Sequence, residues 1–479
     1  MKIIQKDLII EKERFTPIRA KTDVVVAGGG PAGFATAIAS ARNGAETLLI
    51  ERYGFLGGMI TAGLVTGLPI NLLVPLQGEE KPLIGGVAKE LVDRLTREEA
   101  TIDPIEAQRL SGRYAGFSLH QPCDPEVVKY VMQEMALEAG VKLLLHTFIV
   151  DAVVEDGTVK GVIVENKSGR QAILAKLVVD ATGDGDVAAS AGATFEQTKD
   201  STVLPVTITW YMNNVDTLKA REYLNNDPGF SNLILKHKDE VPSSIIEAKE
   251  VLPLTGRPSK PSLGAGYTEL PSDLSTRYNQ LIRKGQWRIW GPHIFGCDIT
   301  NAEELTEVEV KTRRDAMKLV AFLKKYAPGF ENAYLALTAT HIGIRESRRI
   351  IGGYQLTHED IFGGSRFKDV VARSRTGERI DGKTMWTQPA FDIPYRCLVP
   401  RTIDGLLVSG RCISLTHEAA ALLSPRDLVT CFAIGQATGT AAFMATKENI
   451  RPRDLTVSRL QKLLSEQGAN LGIKQTSLR

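Results

Sequence analysis

Three short segments of the sequence carry side chains that could move a proton or hold an anion. In residues 340–346, strand alternation would place His341, Gly343 and Arg345 on one face and two isoleucines on the other. A histidine exchanges a proton near neutral pH, and a guanidinium binds a carboxylate through paired hydrogen bonds. The charged residues within 345–349 could equally form a structural ion-pair network.

The second and third segments lie nearer the end of the chain. Residues 391–400 contain Tyr395 and Arg396, which alternation places on opposite faces, so only one of them need face a pocket. His417 lies in a loop between a glycine turn and the last long helix. A lone loop histidine is often a surface residue, but this loop must cross the predicted site to reach the helix.

A glycine-rich turn between a predicted strand and a predicted helix is the element that would position these side chains. Residues 28–33 read Gly-Gly-Gly-Pro-Ala-Gly after an apolar run, and Glu51 closes the next apolar run. Strand, glycine turn, helix, strand and acid form a dinucleotide-binding fingerprint. Gly28 would allow the turn, Gly30 would let the backbone approach a pyrophosphate, and Gly33 would let helix and strand pack closely.

The residues around this turn complete the predicted dinucleotide site. Pro31 suits the first helical turn, and with Ala32 it leaves the helix amides and dipole facing the diphosphate. Glu51 would accept hydrogen bonds from the adenosine ribose. The glycine-rich stretch that follows would cross the middle of the cofactor, and it contributes Arg52, Gly57, Gly58 and Met59.

Bulk properties exclude several classes of protein. The chain has 479 residues, 43% of them hydrophobic and 24% charged, which is typical of a soluble protein with two or three folding units. A formal charge of +2 argues against nucleic acid as the main partner. The five cysteines are scattered, so we expect buried thiols and no metal. The charged start and the lack of a long apolar stretch predict a cytoplasmic protein without a membrane span, and we expect a homo-oligomer.

Periodicity predicts the remaining elements. We expect a helix over Asp124 to Ala139, ended by Gly140, and a helix from Ala302 to Tyr326. Turn signals predict an antiparallel meander of three strands, Leu143 to Val154, Val159 to Glu165 and Ala172 to Val179. In the last helix Ser424 is the predicted N-cap, Pro425 the first helical residue, and Asp427 completes a capping box.

These elements predict an α/β protein with a divided main domain. Residues 1–200 and 333–450 would form a Rossmann-like domain with a central parallel sheet and an antiparallel β-meander. Residues 201–332, rich in proline and tryptophan, would form an inserted α+β substrate or cap domain, and 451–479 a C-terminal tail.

Four motifs carry a resemblance to a known family. They are Leu56 to Met59, Ala181 to Asp186, Arg345 to Arg349 and Gly410 to Ser414. With the glycine turn they resemble the FAD dependent oxidoreductase family of the glutathione-reductase-like superfamily, over the first two hundred residues and again from about Leu335 to Ala445. The resemblance implies FAD as the cofactor, but it specifies the reaction poorly because this fold hosts many chemistries.

The resemblance also implies roles for individual residues. The turn that holds Ala181, Gly183 and Asp184 would lie near the adenine and pyrophosphate, although Asp184 could equally be a solvated turn acid. Val150 joins these cofactor contacts. Gly410 and Arg411 would lie along the ribityl and pyrophosphate portion, and a helix opening at Pro425 and Arg426 would aim its amides at the flavin pyrimidine. The segment that holds Tyr395 and Arg396 would run before the flavin ring.

The sequence thus favours a FAD enzyme that exchanges a hydride between a small polar organic substrate and flavin N5. Arg345 could bind the substrate if it is anionic, and His341 could move the proton. The electron acceptor stays open among oxygen, a quinone and a carrier protein. Two alternatives remain, a redox-neutral flavoprotein acting as a lyase or hydratase, and a non-catalytic FAD-holding subunit of an electron-transfer complex.

Overall fold

The computed structural model describes most of the chain. The described residues are all except 1–2, 6–7, 11–12, 76–78, 112–119, 200–203, 227–235, 243–284, 376–377, 381–382, 386–388, 423 and 474–479. The proline-rich linker at residues 255–261 therefore lies outside the described part of the chain.

A seven-stranded mixed sheet forms the centre of the main domain. Ile18–Ala27 ends in four fully buried residues, which is typical of a central parallel strand covered on both faces. Parallel pairing joins it to Thr47–Ile50 and Gly169–Asp180. The strand order is Lys142–Leu144, Thr47–Ile50, Ile18–Ala27, Gly169–Asp180, Thr158–Asn166 and Phe148–Glu155, with Leu406–Val408 paired in parallel to the carboxyl end of Gly169–Asp180. The predicted Rossmann-like sheet with its antiparallel meander is confirmed.

The meander differs from the prediction at its start. The run expected as one strand, Leu143 to Val154, is two strands, Lys142–Leu144 and Phe148–Glu155. His146, between them, has a φ of 51°. After Leu144 the chain therefore leaves one edge of the sheet, where the strands are parallel. It begins the meander at the opposite edge of the same sheet.

Two parallel helices cover the sheet beside the glycine turn. Leu428–Glu448 packs along Pro31–Arg42, and a Cβ atom built on Gly435 would lie 2.1 Å from the carbonyl oxygen of Ala32. One turn later, a Cβ atom built on Gly439 would lie 2.1 Å from the carbonyl oxygen of Thr36. The glycines thus serve close helix packing. Because Gly435 faces Ala32, the later helix projects about 9 Å beyond the start of the earlier one.

The start of the last helix corrects the predicted cap. Ser424–Arg426 is a 3₁₀ turn, and the α-helix begins at Leu428 with Asp427 as its N-cap. The carboxylate of Asp427 accepts a hydrogen bond from the amide of Val429 at 2.9 Å. Burial raises the pKa of Asp427 to about 7. The first helical residue, with its free backbone amide, is therefore three positions later than the sequence indicated.

The same helix corrects the expectation that no stretch could span a bilayer. Among the described residues, Leu428–Glu448 is long and apolar enough for a span. Of its most apolar stretch, 89% is buried inside the protein, where it packs against Pro31–Arg42.

A second sheet, which we call the cap sheet after the predicted cap segment, has three strands among the described residues. Val206–Asn213 lies between Trp287–Ile294 and Tyr334–Thr338, with antiparallel pairing on both sides. The helix Ala302–Tyr326 has the predicted bounds and starts with Asn301 as its N-cap. Its apolar side, with Leu319 and Leu323, packs in one buried cluster with Trp210 of the sheet. The cap sheet thus extends to residue 338 and joins the segment that holds His341 directly.

The remaining elements support these two layers. The further helices are Ile70–Leu73, Gly86–Arg97, Pro104–Ser111, Pro125–Glu138, Asp186–Ser190, Thr217–Asn226, His358–Gly363, His417–Ala421 and Val457–Glu466, with 3₁₀ turns at Lys238–Glu240, Tyr395–Cys397, Gly410–Cys412 and Pro452–Asp454. The further strands are Ile3–Gln5, Leu8–Ile10, Gly67–Pro69, His120–Pro122, Phe195–Glu196, Arg349–Ile350, Val370–Ser374, Glu378–Ile380, Lys383–Met385 and Phe391–Pro394. The five cysteines are buried free thiols, as predicted.

Candidate cofactor and active site

The glycine turn has the close approaches that the fingerprint requires. Gly28 has a φ of 97°, and its amide donates to the carbonyl of Ile50 at 2.8 Å. A Cβ atom on Gly33 would lie 1.8 Å from the carbonyl oxygen of Gly28, so no side chain fits there. Ala181, at the end of the neighbouring strand, packs against both glycines. Three elements therefore meet at the turn with almost no space between their backbones.

A second glycine segment is fastened over this turn. The amide of Gly57 donates to the carbonyl of Gly29 at 2.9 Å. Gly58 has a φ of 49°, and a Cβ atom there would lie 2.8 Å from the Cα of Gly30. Met59 follows, and its carbonyl accepts from the amide of Val65 at 2.9 Å. The two segments form a cradle of closely approaching backbone, which we call the glycine cradle (residues 28–33 and 57–59).

Helix Pro31–Arg42 points its amino end into the glycine cradle. No side chain caps this end among the described residues, and Gly30 stands at the N-cap position in an extended conformation. Uncapped amides and the positive end of the helix dipole favour an anion. This is the arrangement that a diphosphate requires.

Glu51 lies beside the cradle as a buried acid. Its carboxylate accepts from the amides of Gly29 at 2.6 Å and Tyr53 at 2.9 Å, and the residue is only 6% exposed. Burial raises the pKa of Glu51, and the two amides oppose that effect. The amide of Thr147 donates to the Glu51 carbonyl at 3.0 Å, which brings the meander strand with Val150 close to the acid. Val150 itself is 41% exposed.

Asp184 and Arg411 form a buried ion pair on the opposite side. The Arg411 guanidinium contacts the Asp184 carboxylate at 2.6 Å and donates to the Ser347 hydroxyl at 2.9 Å. Burial alone would raise the pKa of Asp184, but Arg411 holds it below its usual value. Gly183, with a φ of 83°, lies against the same guanidinium. Asp184 is therefore a buried, paired acid rather than a solvated one.

The turn that carries Arg411 touches the cradle helix directly. Gly410 has a φ of 84°, and a Cβ atom there would lie 2.8 Å from the Cβ of Ala32. Arg52 lies 5.0 Å from the centre of the Tyr53 ring and its charge reaches Asp184. Arg426 donates instead to the carbonyl of Ala420 at 3.1 Å, so it braces the loop before the last helix.

His341 lies against the segment that follows the cradle glycines. Its amide donates to the carbonyl of Ala62 at 3.1 Å, and its ring packs edge-on against Tyr53. The ring Nδ1 lies 2.6 Å from the carbonyl oxygen of Ile342, which can only accept, so Nδ1 carries a proton. Burial, and then the charge of Arg52, lower the pKa of His341. The imidazole is therefore neutral, with Nε2 as an acceptor.

Arg345 braces the cap sheet. Its guanidinium donates to the carbonyl of Pro205 and to the hydroxyl of Thr207, and it lies 3.4 Å from Nε2 of His293. Residues 340–346 make one β-bridge, between Gly343 and Thr207, rather than the strand that the sequence predicted. The alternation survives, because Ile342 and Ile344 share a separate buried cluster.

Tyr395 and Arg396, predicted to face the pocket, both have partners within the protein. The Tyr395 hydroxyl donates to the carbonyl of Pro452 at 2.9 Å, inside the core. The Arg396 guanidinium pairs with Asp369 at 3.1 Å and lies over the Tyr354 ring, with its side chain 47% exposed.

His417 pairs with a buried acid. Its Nδ1 lies 2.7 Å from Oε1 of Glu346 and 3.1 Å from the Thr198 hydroxyl. Glu346 also bonds to Arg349, so the predicted ion-pair network of residues 345–349 exists in part. The bond to Glu346 raises the pKa of His417, although burial opposes it. The sequence analysis did not single out Glu346 as a site residue. Its position as a charged residue within a largely buried stretch could have signalled it.

The comparison with protein families identifies the family of this chain. The family model described as FAD dependent oxidoreductase matches residues 23–464. The chain belongs to this family. The fold, the FAD cofactor and the enzyme class predicted from the sequence are therefore confirmed.

Individual relatives are distant. A thiamine thiazole synthase from Methanococcus vannielii is 28% identical over 171 residues, which cover 34% of this chain and 56% of that protein. A digeranylgeranylglycerophospholipid reductase from Methanococcoides burtonii is 27% identical over 34% of this chain and 37% of its own length. The matches thus span about half or less of these relatives. A geranylgeranyl bacteriochlorophyll reductase-like protein from Thermoplasma acidophilum has 15% identity and a TM-score of 0.44, covering 94% of this chain and 84% of its own.

The residues present fit FAD. The glycine cradle leaves a surface that side chains would fill, the amino end of Pro31–Arg42 is uncapped, and Glu51 is a buried carboxylate at the ribose position. The last helix projects beyond the cradle and would direct its amides at the flavin. The contact of each named residue with FAD stays a prediction.

Replacing Glu51 with glutamine should weaken FAD binding. The glutamine oxygen can accept from one of the two amides, but its amino group would face the other, and the charged acceptor for the ribose is lost. We expect a loss of about 1.5 to 3 kcal/mol in binding free energy, measured by titrating apoprotein with FAD. Glu46→Gln, an exposed acid paired with Lys142, is the matched control. Wild-type affinity in Glu51→Gln would refute the assignment of the ribose acid.

Proposed function

We propose that this FAD dependent oxidoreductase exchanges a hydride between flavin N5 and a small polar organic molecule. The substrate carbon would bear oxygen, nitrogen or an activated double bond. FAD supplies the two-electron acceptor or donor, and the protein supplies orientation and proton transfer.

The observation that carries this proposal is that two histidines are tied to elements of the candidate site, His341 by its amide bond to Ala62 and His417 by its bond to Glu346. The pKa of His341 is lowered by burial, and that of His417 is raised by Glu346. Environments that shift the pKa values of two titratable groups in opposite directions are typical of a catalytic acid and its partner base. His341 is bonded to the segment after Gly57 and Gly58, and Glu346 adjoins Ser347, which contacts Arg411.

In this proposal the chain binds and orients the substrate from the cap side. His341, with Nε2 as an acceptor, would hold a second polar group of the substrate, away from the reacting carbon, through a hydrogen bond. The cap strand Val206–Asn213 holds the His341 segment through the bridge between Thr207 and Gly343 and through Arg345. A substrate carboxylate would gain from the positive charge of Arg345.

Anaerobic mixing tests the proposed function. FAD-loaded protein is mixed without oxygen with small hydroxy acids, amino acids and unsaturated acids, and with their uncharged analogues. We expect one class to abolish the visible absorbance of oxidised flavin, and the absorbance to return when oxygen or a quinone is admitted. Product formation without bleaching would favour a redox-neutral lyase or hydratase. Bleaching by none of the molecules, with rapid reduction by carrier proteins, would favour an electron-transfer subunit.

A further inference from the structure

We propose that His417 is the group that exchanges the substrate proton, and that Glu346 and Arg349 are the residues that position it. This inference deepens the proposed function and rests on it. These three side chains and that of Thr198 form one cluster, which we call the His417 cluster (Thr198, Glu346, Arg349 and His417).

The geometry of the cluster fixes the tautomer of His417. Glu346 can only accept when ionised, so its Oε1, 2.7 Å from Nδ1, requires a proton on Nδ1. Thr198 shares the same ring nitrogen at 3.1 Å and also donates to Glu346. With Nδ1 occupied, Nε2 is the atom that can gain or lose a proton. A carboxylate that orients a histidine in this way is a recurrent catalytic arrangement.

Arg349 pairs with the carboxylate of Glu346 inside the protein. The Glu346 side chain is 2% exposed and that of Arg349 is 5% exposed, and their charged groups are in direct contact. An unpaired buried carboxylate would lose its charge, and with it the ability to stabilise an imidazolium. The His417 side chain is 26% exposed, so only the histidine of this trio reaches solvent to a useful degree.

The cluster adjoins the cofactor site through a continuous chain of contacts. Glu346 precedes Ser347, whose hydroxyl accepts from Arg411 at 2.9 Å, and Arg411 pairs with Asp184. His417 opens the short helix in the loop that joins the Gly410 turn to the last helix. The last helix, Leu428–Glu448, projects about 9 Å past the start of helix Pro31–Arg42. The loop that leads into the last helix therefore borders the space that an extended dinucleotide would reach.

The proposed step conserves atoms and electrons. A substrate with an H–C–O–H or H–C–N–H group loses a hydride, with the electron pair of the C–H bond, to oxidised flavin. The O–H or N–H proton goes to Nε2 of His417, and a C=O or C=N double bond forms. The imidazolium, stabilised by Glu346, then releases its proton to solvent through its exposed edge. The reverse reaction uses the imidazolium as the acid.

The electrostatic surroundings make a clear pH prediction. The charged groups that face His417 among the described residues are Glu346, Arg349 and Glu418. The pKa of His417 is raised, and substrate oxidation needs the neutral ring, so the rate of flavin reduction should rise as pH increases through that pKa. Removing the Glu346 charge should move this rise to lower pH and lower its plateau.

Direct titration of His417 provides a test that needs no substrate. Nuclear magnetic resonance of ¹⁵N-histidine-labelled FAD-bound protein, assigned with His417→Gln, should show a proton on Nδ1 in the neutral ring. Glu346→Gln should lower the pKa of His417, changing its protonation equilibrium by about tenfold or more. Glu418→Gln removes a neighbouring charge without breaking the bond to Nδ1 and should have a much smaller effect. An unchanged pKa in Glu346→Gln, or a proton on Nε2, would overturn the proposal.

A second experiment tests whether protonation of His417 is coupled to reduction of the flavin. Reductive titration against a reference dye should give a reduction potential whose pH dependence changes slope at the pKa of His417, and the change should shift in Glu346→Gln. With a substrate, His417→Gln should slow anaerobic flavin reduction by about a hundredfold or more. If no substrate reduces the flavin, the proposed function fails while the titration and potential still test the pair. If reduction occurs but neither variant alters its pH profile, only the His417 assignment fails.

Discussion

Replacing Gly30 with alanine should lower FAD affinity by at least about a hundredfold, or ~2.7 kcal/mol, while leaving the apoprotein folded. Gly30 has an ordinary φ of −69°, and a Cβ atom there would lie 3.8 Å from its nearest neighbour, the Cα of Gly58. The methyl group therefore fits the protein. It would occupy the surface of the glycine cradle where the backbone must approach a diphosphate.

Two glycine variants separate this effect from misfolding. Gly33→Ala would place a Cβ atom 1.8 Å from the carbonyl oxygen of Gly28, so it should destabilise the apoprotein as well as remove FAD. Gly363→Ala has no atom within 4 Å of its added Cβ and should change neither property. Thermal unfolding of the apoproteins and titration with FAD supply both measurements. A Gly30→Ala protein that binds FAD like wild type would show that the diphosphate lies elsewhere.

The cofactor cradle was predictable from the sequence because its constraints are local. Gly28, Gly30 and Gly33 fall within one turn, and Glu51 ends the next strand, so spacing alone specifies their geometry. The helix Ala302–Tyr326 was predictable for the same reason, since an Asn N-cap and a following Pro-Gly mark its ends.

The errors arose where two local signals competed. Ser424 and Pro425 are good helix-start residues, yet Asp427 supplies the cap, and the earlier residues form a 3₁₀ turn that leads into it. The first meander strand was predicted to begin too early, at Leu143, because the apolar run continues through His146, where the backbone turns with a positive φ. Alternation cannot reveal such a break.

The contacts of the candidate active site were not predictable, because they join distant parts of the chain. Glu346 and His417 are 71 residues apart, and Arg345 meets Pro205 and Thr207 across the insertion. Tyr395 looked like a pocket residue, but its hydroxyl bonds to Pro452, in the C-terminal tail. Sequence reasoning therefore supplied candidate residues but not their partners.

Replacing Arg345 with lysine should slow flavin reduction by the true substrate by about a hundredfold, with FAD occupancy and spectrum unchanged. The guanidinium bonds to Pro205 and Thr207 together and lies beside His293, and an ammonium cannot copy that fork. Without it the segment that holds His341 would shift against the cap sheet, and a displacement of about 1 Å in a reacting group costs on the order of a hundredfold.

Arg396→Ala is the matched control for this experiment. Its guanidinium is half exposed, pairs with Asp369 and stacks on Tyr354, so its loss should leave flavin reduction within about twofold of wild type. Stopped-flow measurement over a range of substrate concentrations separates two roles for Arg345. A weaker apparent affinity with an unchanged limiting rate would mean that Arg345 binds the substrate, whereas a lower limiting rate would mean that it aligns His341. If Arg345→Lys matches wild type in both quantities while Arg396→Ala does not, the substrate enters from the Tyr354 side and the cap sheet has no part in positioning it.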